Sequence, residues 1–182
     1  MNPVKEVYVA RIPYFSPAAA DTENITLLNN APPLNIFKIV AHATYPIARK
    51  FISFIKSILA DGKLDPILRE MAIVRTGLVC GSTYEVYQHR RISLGVGMPQ
   101  EKLEALSIGS EATVFSETER LVLRFTEELV LQRKSSEATF DALSKHLSRG
   151  EMVELTIVVG CYIMVSTFLI NFEVDIEDQQ ST

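Results

Sequence analysis

Glu85 and His89 stand four residues apart in the run Tyr84-Glu-Val-Tyr-Gln-His89. On a helix, a carboxylate and an imidazole at this spacing touch, and the carboxylate raises the histidine pKa and fixes its tautomer. That arrangement builds a proton donor or acceptor that works near neutral pH. At about 100° per residue, Glu85, Val86, His89, Ile92, Ser93 and Val96 share one helical face. Glu70 lies on the preceding helical segment and can reach the same pocket across the Cys80-Gly81 turn. The same spacing also serves a satisfied structural Glu-His pair inside a bundle, and both readings stand at this point. The remaining histidines have no comparable neighbours. His42 reads as half-buried in its helix, and His146 sits near a helix C-terminus, where its charge is favourable. Arg69, Arg75, Arg90 and Arg91 read as ordinary ion-paired or solvated residues. Cys80 and Cys161 read as small core hydrophobes, and Tyr84 and Tyr87 as packing residues.

These side chains must be carried by helices. Asp65-Pro66 is an N-cap followed by proline at the first helical position, which opens a helix to about Val79. A second helix runs from about Ser82 to Leu94 and stops at Gly95. Pro99 starts a short helix to Ser107. Ser116 with Glu119 and Ser148 with Glu151 have capping-box spacing and open helices over about 117–133 and 149–172, with another at about 136–147 between them. Upstream, Ile36, Ile39, Val40, Ala43, Ile47, Phe51, Phe54, Ile55 and Ile58 recur every three to four residues and predict a helix over 36–59, with a kink at Pro46. Residues 1–33 carry Pro13, Pro17, Pro32, Pro33 and Asn29-Asn30 and read as an irregular arm. Residues 176–182 read as an acidic tail. No period-2 alternation occurs, so the expected fold is all-α: one domain over 34–175, a bundle of about seven helices.

Composition narrows the function. The chain has 182 residues, 47% hydrophobic and 22% charged, which fits one globular domain and excludes a disordered or disulfide-scaffold class. A net charge of -4 without a basic stripe argues against nucleic acid as a partner. The two cysteines form no CxxC, and no His-rich cluster accompanies them, so neither a structural zinc nor a dithiol redox motif is expected, and a reducing compartment fits. The N-terminal residues show no apolar core of a secretion signal, so a cytoplasmic address is expected. Leu155 to Phe172 runs without a charge, barely the length of a membrane span. Thr156, Ser166, Thr167 and Asn171 interrupt it and no basic flank follows, so it is expected to be a buried helix rather than a span. A helix that is apolar all round needs protein on every side, which points to burial in a homo-oligomer.

The segment Leu68-Arg-Glu-Met-Ala-Ile-Val-Arg75, then Tyr84-Glu-Val-Tyr-Gln-His89 and Gly95 to Ala105, resembles the core motif of the carboxymuconolactone decarboxylase family, which includes the alkylhydroperoxidase D proteins. The resemblance extends to Arg11-Ile-Pro-Tyr14, Leu34-Asn-Ile-Phe37, Ala41-His42, Glu154-Leu155 and Val174-Asp175. It implies an alkylhydroperoxidase D-like helical fold assembled as trimers or hexamers. In the peroxidase branch it implies a Glu, a CxxC pair with an intervening His, and a second His. Glu70 and His89 match the outer members, whereas the cysteine positions fall on Ser82 and Glu85 and the intervening His on Tyr84. Cys80 lies two residues before the first cysteine position. In the decarboxylase branch the resemblance implies neither cofactor nor metal. A carboxylated lactone loses carbon dioxide and a positioned acid returns a proton to carbon.

The resulting expectation is a cofactor-free decarboxylase-type enzyme for a small carboxylated lactone or keto acid, with Glu70, Glu85 and His89 catalytic. Ser82, Tyr84, Arg75 and Arg90 would bind substrate, although Arg75 lies about 140° from Glu70 around its helix and could instead serve a subunit interface. A peroxide-reducing, antioxidant protein without a CxxC pair, or a catalytically silent oligomeric binding protein, are the alternatives.

Overall fold

The computed structural model describes residues 10–16 and 22–177, and among these every regular element is helical. The chain divides into two compact units, residues 1–57 with 169–182 and residues 58–168.

The first unit holds α1 (Thr22–Asn29), α2 (Asn35–Val40) and the first part of α3 (Tyr45–Ala60), and Arg11, Tyr14 and Asn35 at the start of α2 are hydrogen-bonded to the end of the chain. Arg11 binds Phe172 through its backbone N–H and Glu173 through its side chain, and Tyr14 donates to Asp175. Asn35 Nδ2 donates to the Asp175 carbonyl at 2.9 Å. Two expectations are corrected here. Residues 1–33 are not irregular throughout, because Thr22–Asn29 is helical. The expected helix over 36–59 is also two helices rather than one kinked helix, separated at residues 41–44. Pro46 has no N–H to give to a carbonyl four residues back and its ring collides with that turn, so it is accommodated only in the first turn of α3. The Thr44 carbonyl accepts from Ile47 and Ala48 there.

The second unit holds α4 (Pro66–Cys80), α5 (Thr83–Gly95), α6 (Gln100–Ala105), α7 (Glu117–Gln132), α8 (Glu137–Leu143) and most of α9 (Arg149–Phe172). With the two extra elements upstream, nine helices occur among the described residues, against about seven expected. α4 packs on both α5 and α7. Met71, Val74, Leu103, Leu106, Phe115 and Leu123 form a buried core among α4, α6 and α7. The Asp65 carboxylate caps α4 by accepting from Ile67 and Leu68. At the other end Gly81 is left-handed, with φ 77°. Its N–H goes to Leu78 and the Ser82 N–H to Gly77, the bond pattern of a Schellman motif, which folds α5 back on α4. Before α4, the Glu154 carboxylate accepts from the N–H groups of Lys63 and Leu64 at 2.7 and 2.8 Å, tying the entry loop to α9.

α9 is long and apolar enough to cross a membrane by length and composition alone. Its buried positions nevertheless recur with helical period: Leu155, Val158, Val159, Tyr162, Val165, Ser166 and Leu169. It is therefore one-sided within the chain rather than uniformly enclosed, and Val153, Ile157 and Met164 are exposed on its outer face.

Candidate functional site

The turn at Gly81 brings the middle of α4 beside α5, and the Glu70 and His89 side chains meet there. His89 Nδ1 lies 2.7 Å from Glu70 Oε2, and His89 Nε2 lies 3.0 Å from Glu85 Oε1, one turn away on α5. Arg69 Nε donates to the other Glu70 oxygen at 3.2 Å. From α9, the Tyr162 ring stands edge-on to the imidazole, with centroids 4.9 Å apart and planes at 83°. Arg69, Glu70, Glu85, His89 and Tyr162 are all buried. Burial on its own would lower the His89 pKa. The charge of Glu85 and the hydrogen bonds to Glu70 and Glu85 override it and hold the imidazole up at about 9. At neutral pH His89 is an imidazolium donating from both nitrogens, so it offers no lone pair to a metal in this arrangement. Glu70 and Glu85 carry two negative charges and Arg69 and His89 two positive ones, so the cluster is neutral as a whole, which makes its burial tolerable.

Ser82, at the N-cap of α5, is separated from Glu85 by the same S-x-x-E spacing as the pairs at 116–119 and 148–151. Those two pairs form reciprocal caps: Ser116 N–H to Glu119 with Glu119 N–H to Ser116, and Ser148 N–H to Glu151 with Glu151 N–H to Ser148. The pair at 82–85 does not. Ser82 makes no capping bond, its buried hydroxyl has no hydrogen-bond partner, and Glu85 is turned to His89. Forgoing such a cap sacrifices about 1 kcal/mol of helix stability, and local rules broken in this way concentrate at functional sites.

The other expected site residues fall in different places. Tyr84 is buried on α5. Arg75 is drawn away: its guanidinium holds Glu127 at 2.8 Å and the carbonyls of Leu106 and Ser107 at 3.0 Å, a clamp among α4, the turn after α6, and α7. Arg90 donates to the Leu103 carbonyl at 3.3 Å. The guanidinium beside Glu70 is that of Arg69, a residue whose sequence position carries no such signal. Tyr162 was likewise missed, because an aromatic residue in the charge-free stretch from Leu155 to Phe172 looks like packing. The Ser82-x-x-Glu85 spacing was the signal available for the diverted cap.

Neither cysteine is set up as a nucleophile. Burial pushes the Cys80 thiol up, against a smaller opposing pull from Ser166 and Arg133, and burial with Glu85 pushes Cys161 up to about 11. Both are free thiols.

Residues 46–128 match the model of the carboxymuconolactone decarboxylase family. Among solved structures, the fold is similar to an alkylhydroperoxidase AhpD core, peroxidase-related protein from Ralstonia eutropha, with TM-score 0.80, 18% identity and coverage of 95% of each chain. It is also similar to a peroxidase-related protein from a Silicibacter species, with TM-score 0.76, 15% identity and coverage of 100% of this chain and 98% of that one. A cysteine-to-alanine variant of the debrominase Bmp8, in complex with 2,3,4-tribromopyrrole, gives TM-score 0.75 at 15% identity, covering 97% of this chain and 95% of that one. Among curated proteins, none matches this chain by sequence.

Proposed function

We propose that this chain, whose residues 46–128 match the model of the carboxymuconolactone decarboxylase family, is a cofactor-free enzyme of the decarboxylase type acting on a small carboxylated lactone or keto acid. We further propose that it works as a cytoplasmic homo-oligomer of three or more chains. The observation that carries the reading is His89, held between Glu70 at 2.7 Å and Glu85 at 3.0 Å and kept protonated at neutral pH. Decarboxylation needs such a group after carbon dioxide has left, because a proton must be delivered to carbon. The bond from carbon to the carboxylate breaks, carbon dioxide departs, the electron pair moves into the conjugated carbonyl, and the acid then protonates the carbon.

Glu70 holds Nδ1 by the shorter bond and fixes the ring, with Arg69 steadying Glu70 from behind. Nε2 is the working side. There His89 gives its proton to the substrate carbon while Glu85 orients the ring, and solvent restores the proton afterwards. Among the described residues Arg69, Arg75 and Arg90 are each engaged by protein oxygens, so the substrate carboxylate gains no free guanidinium partner, and its negative charge moves onto the carbonyl oxygen as carbon dioxide leaves. The peroxide-reducing alternative would need a thiolate, and both thiols are pushed toward their neutral form.

The test is to screen small carboxylated lactones and β-keto acids for carbon dioxide release, with turnover normalised to folded protein. Release by the wild type that collapses in His89→Ala is expected. No release from any member of the panel, or release unchanged in His89→Ala, would overturn the reading.

A further inference from the structure

We propose that the Tyr162 hydroxyl is the hydrogen-bond donor that receives the carbonyl oxygen of a small lactone or ketone beside His89. The inference rests on the acid-base reading of His89 and specifies which end of the substrate lies against it.

Tyr162 is 1% exposed, and its hydroxyl has no hydrogen-bond partner in the protein. A buried phenol ordinarily finds one. Other buried hydroxyls of the same unit do. Thr76 donates to the Ala72 carbonyl, Ser93 to His89, Thr126 to Val122, and Ser110 to the Glu127 carboxylate. Ser82, Tyr162 and Ser166 depart from this rule, and the first two flank the acid-base pair: Ser82 one turn before Glu85, Tyr162 edge-on to the His89 ring.

The hydroxyl stays in its neutral form, with its proton available to donate. Burial, then the charges of Glu85 and Glu70, push the phenol well above its ordinary range, so it keeps its proton through neutral pH. The surroundings also select what it receives. Arg69 is engaged by Glu70, Arg75 by Glu127 and two carbonyls, and Arg90 by the Leu103 carbonyl, while Glu70 and Glu85 are close by. A carboxylate against Tyr162 would face two like charges with no free cation. An uncharged carbonyl oxygen meets no such repulsion. When the bond to the leaving carboxylate breaks, its electron pair moves onto this oxygen and strengthens the bond from the phenol, while His89 supplies the proton to carbon.

The experiment uses 2(5H)-furanone carrying carbon-13 at its carbonyl, bound to the full-length wild type and to Tyr162→Phe, and read by isotope-edited infrared difference spectroscopy and by titration. The wild type is expected to move the carbonyl stretch to lower frequency than Tyr162→Phe does and to bind roughly five- to ten-fold more tightly. Ligand-free Tyr162→Phe should melt at or above the wild type, because its hydroxyl has no partner to lose. An identical stretch in the two proteins, no shifted band in the wild type at saturating probe, or a lower melting point for Tyr162→Phe would each overturn the assignment. A shifted band in a wild type that releases no carbon dioxide from any substrate leaves Tyr162 assigned and removes the decarboxylase reading. Release with an identical stretch does the reverse.

Discussion

His89 Nδ1 lies 2.7 Å from Glu70 Oε2, a residue 19 positions earlier and on a different helix, with both side chains buried. This bond joins α4 to α5 and charges the imidazole, so one contact bears on both stability and proton chemistry.

Stability should therefore depend on pH through His89. Its folded pKa, about 9, lies above the ordinary 6.5, so its contribution is fully present below about 6.5 and is lost as pH rises through about 9. Between about pH 6.5 and 8.5, where cysteine ionisation affects both proteins alike, the wild type should lose on the order of 2–3 kcal/mol relative to His89→Gln. Urea unfolding of both proteins across that window checks it. Parallel curves would show that His89 is not held charged.

The Glu85-His89 unit should behave non-additively. His89→Ala should remove most of the roughly 10²- to 10⁴-fold that acid-base catalysis supplies. Glu85→Gln should cost less, and the double variant should be little worse than His89→Ala alone. Rates that multiply would mean independent roles. A variant that melts lower yet turns over normally would make the pair structural.

Cysteine chemistry should be dispensable. Cys80→Ser and Cys161→Ser should each leave primary activity within a few-fold, because both thiols are held in the neutral form. Thiol titration before and after peroxide should show no intramolecular disulfide. A hundred-fold loss in Cys80→Ser would favour the antioxidant alternative, since about that much is expected only when a nucleophile is removed.

Gly109 should be irreplaceable. It has φ 87°, and an added Cβ would collide with the Glu127 carboxylate and the Arg75 guanidinium. Those groups also bind each other, and Glu127 accepts from the Ser110 N–H and hydroxyl. Gly109→Ala should cost about 3 kcal/mol or more through strain and a broken clamp. An unchanged melting curve would refute this.

Assembly should follow the outer face of α9. Val153 is 59% exposed, Ile157 43% and Met164 46%, a stripe at helical spacing on a helix that carries no charge from Leu155 onward. Light scattering should give three or more chains, and Ile157→Glu with Met164→Glu should dissociate them. A wild-type particle of 20.4 kDa at micromolar concentration would sink the proposal.

Features that depend on a few neighbouring residues were determined by the sequence alone. The Asp65-Pro66 start, the caps at Ser116 and Ser148 and the four-residue step from Glu85 to His89 each need only helical geometry, and the structure has all of them. Pro46 marked a disturbance, but whether it bent or divided the helix depended on the turn that could form at 41–44. Choice of partner was a tertiary matter. An arginine can pair with any carboxylate that packing brings near, so Arg69 meets Glu70 and Arg75 meets Glu127 for reasons that spacing does not contain. Ser82 and Glu85 have the spacing of a capping box, yet burial beside His89 gives the carboxylate a stronger, charged partner than a backbone amide. Tyr162 reaches the same cluster only because α9 packs its ring on the imidazole, and the periodicity of an apolar helix cannot distinguish such a residue from its neighbours.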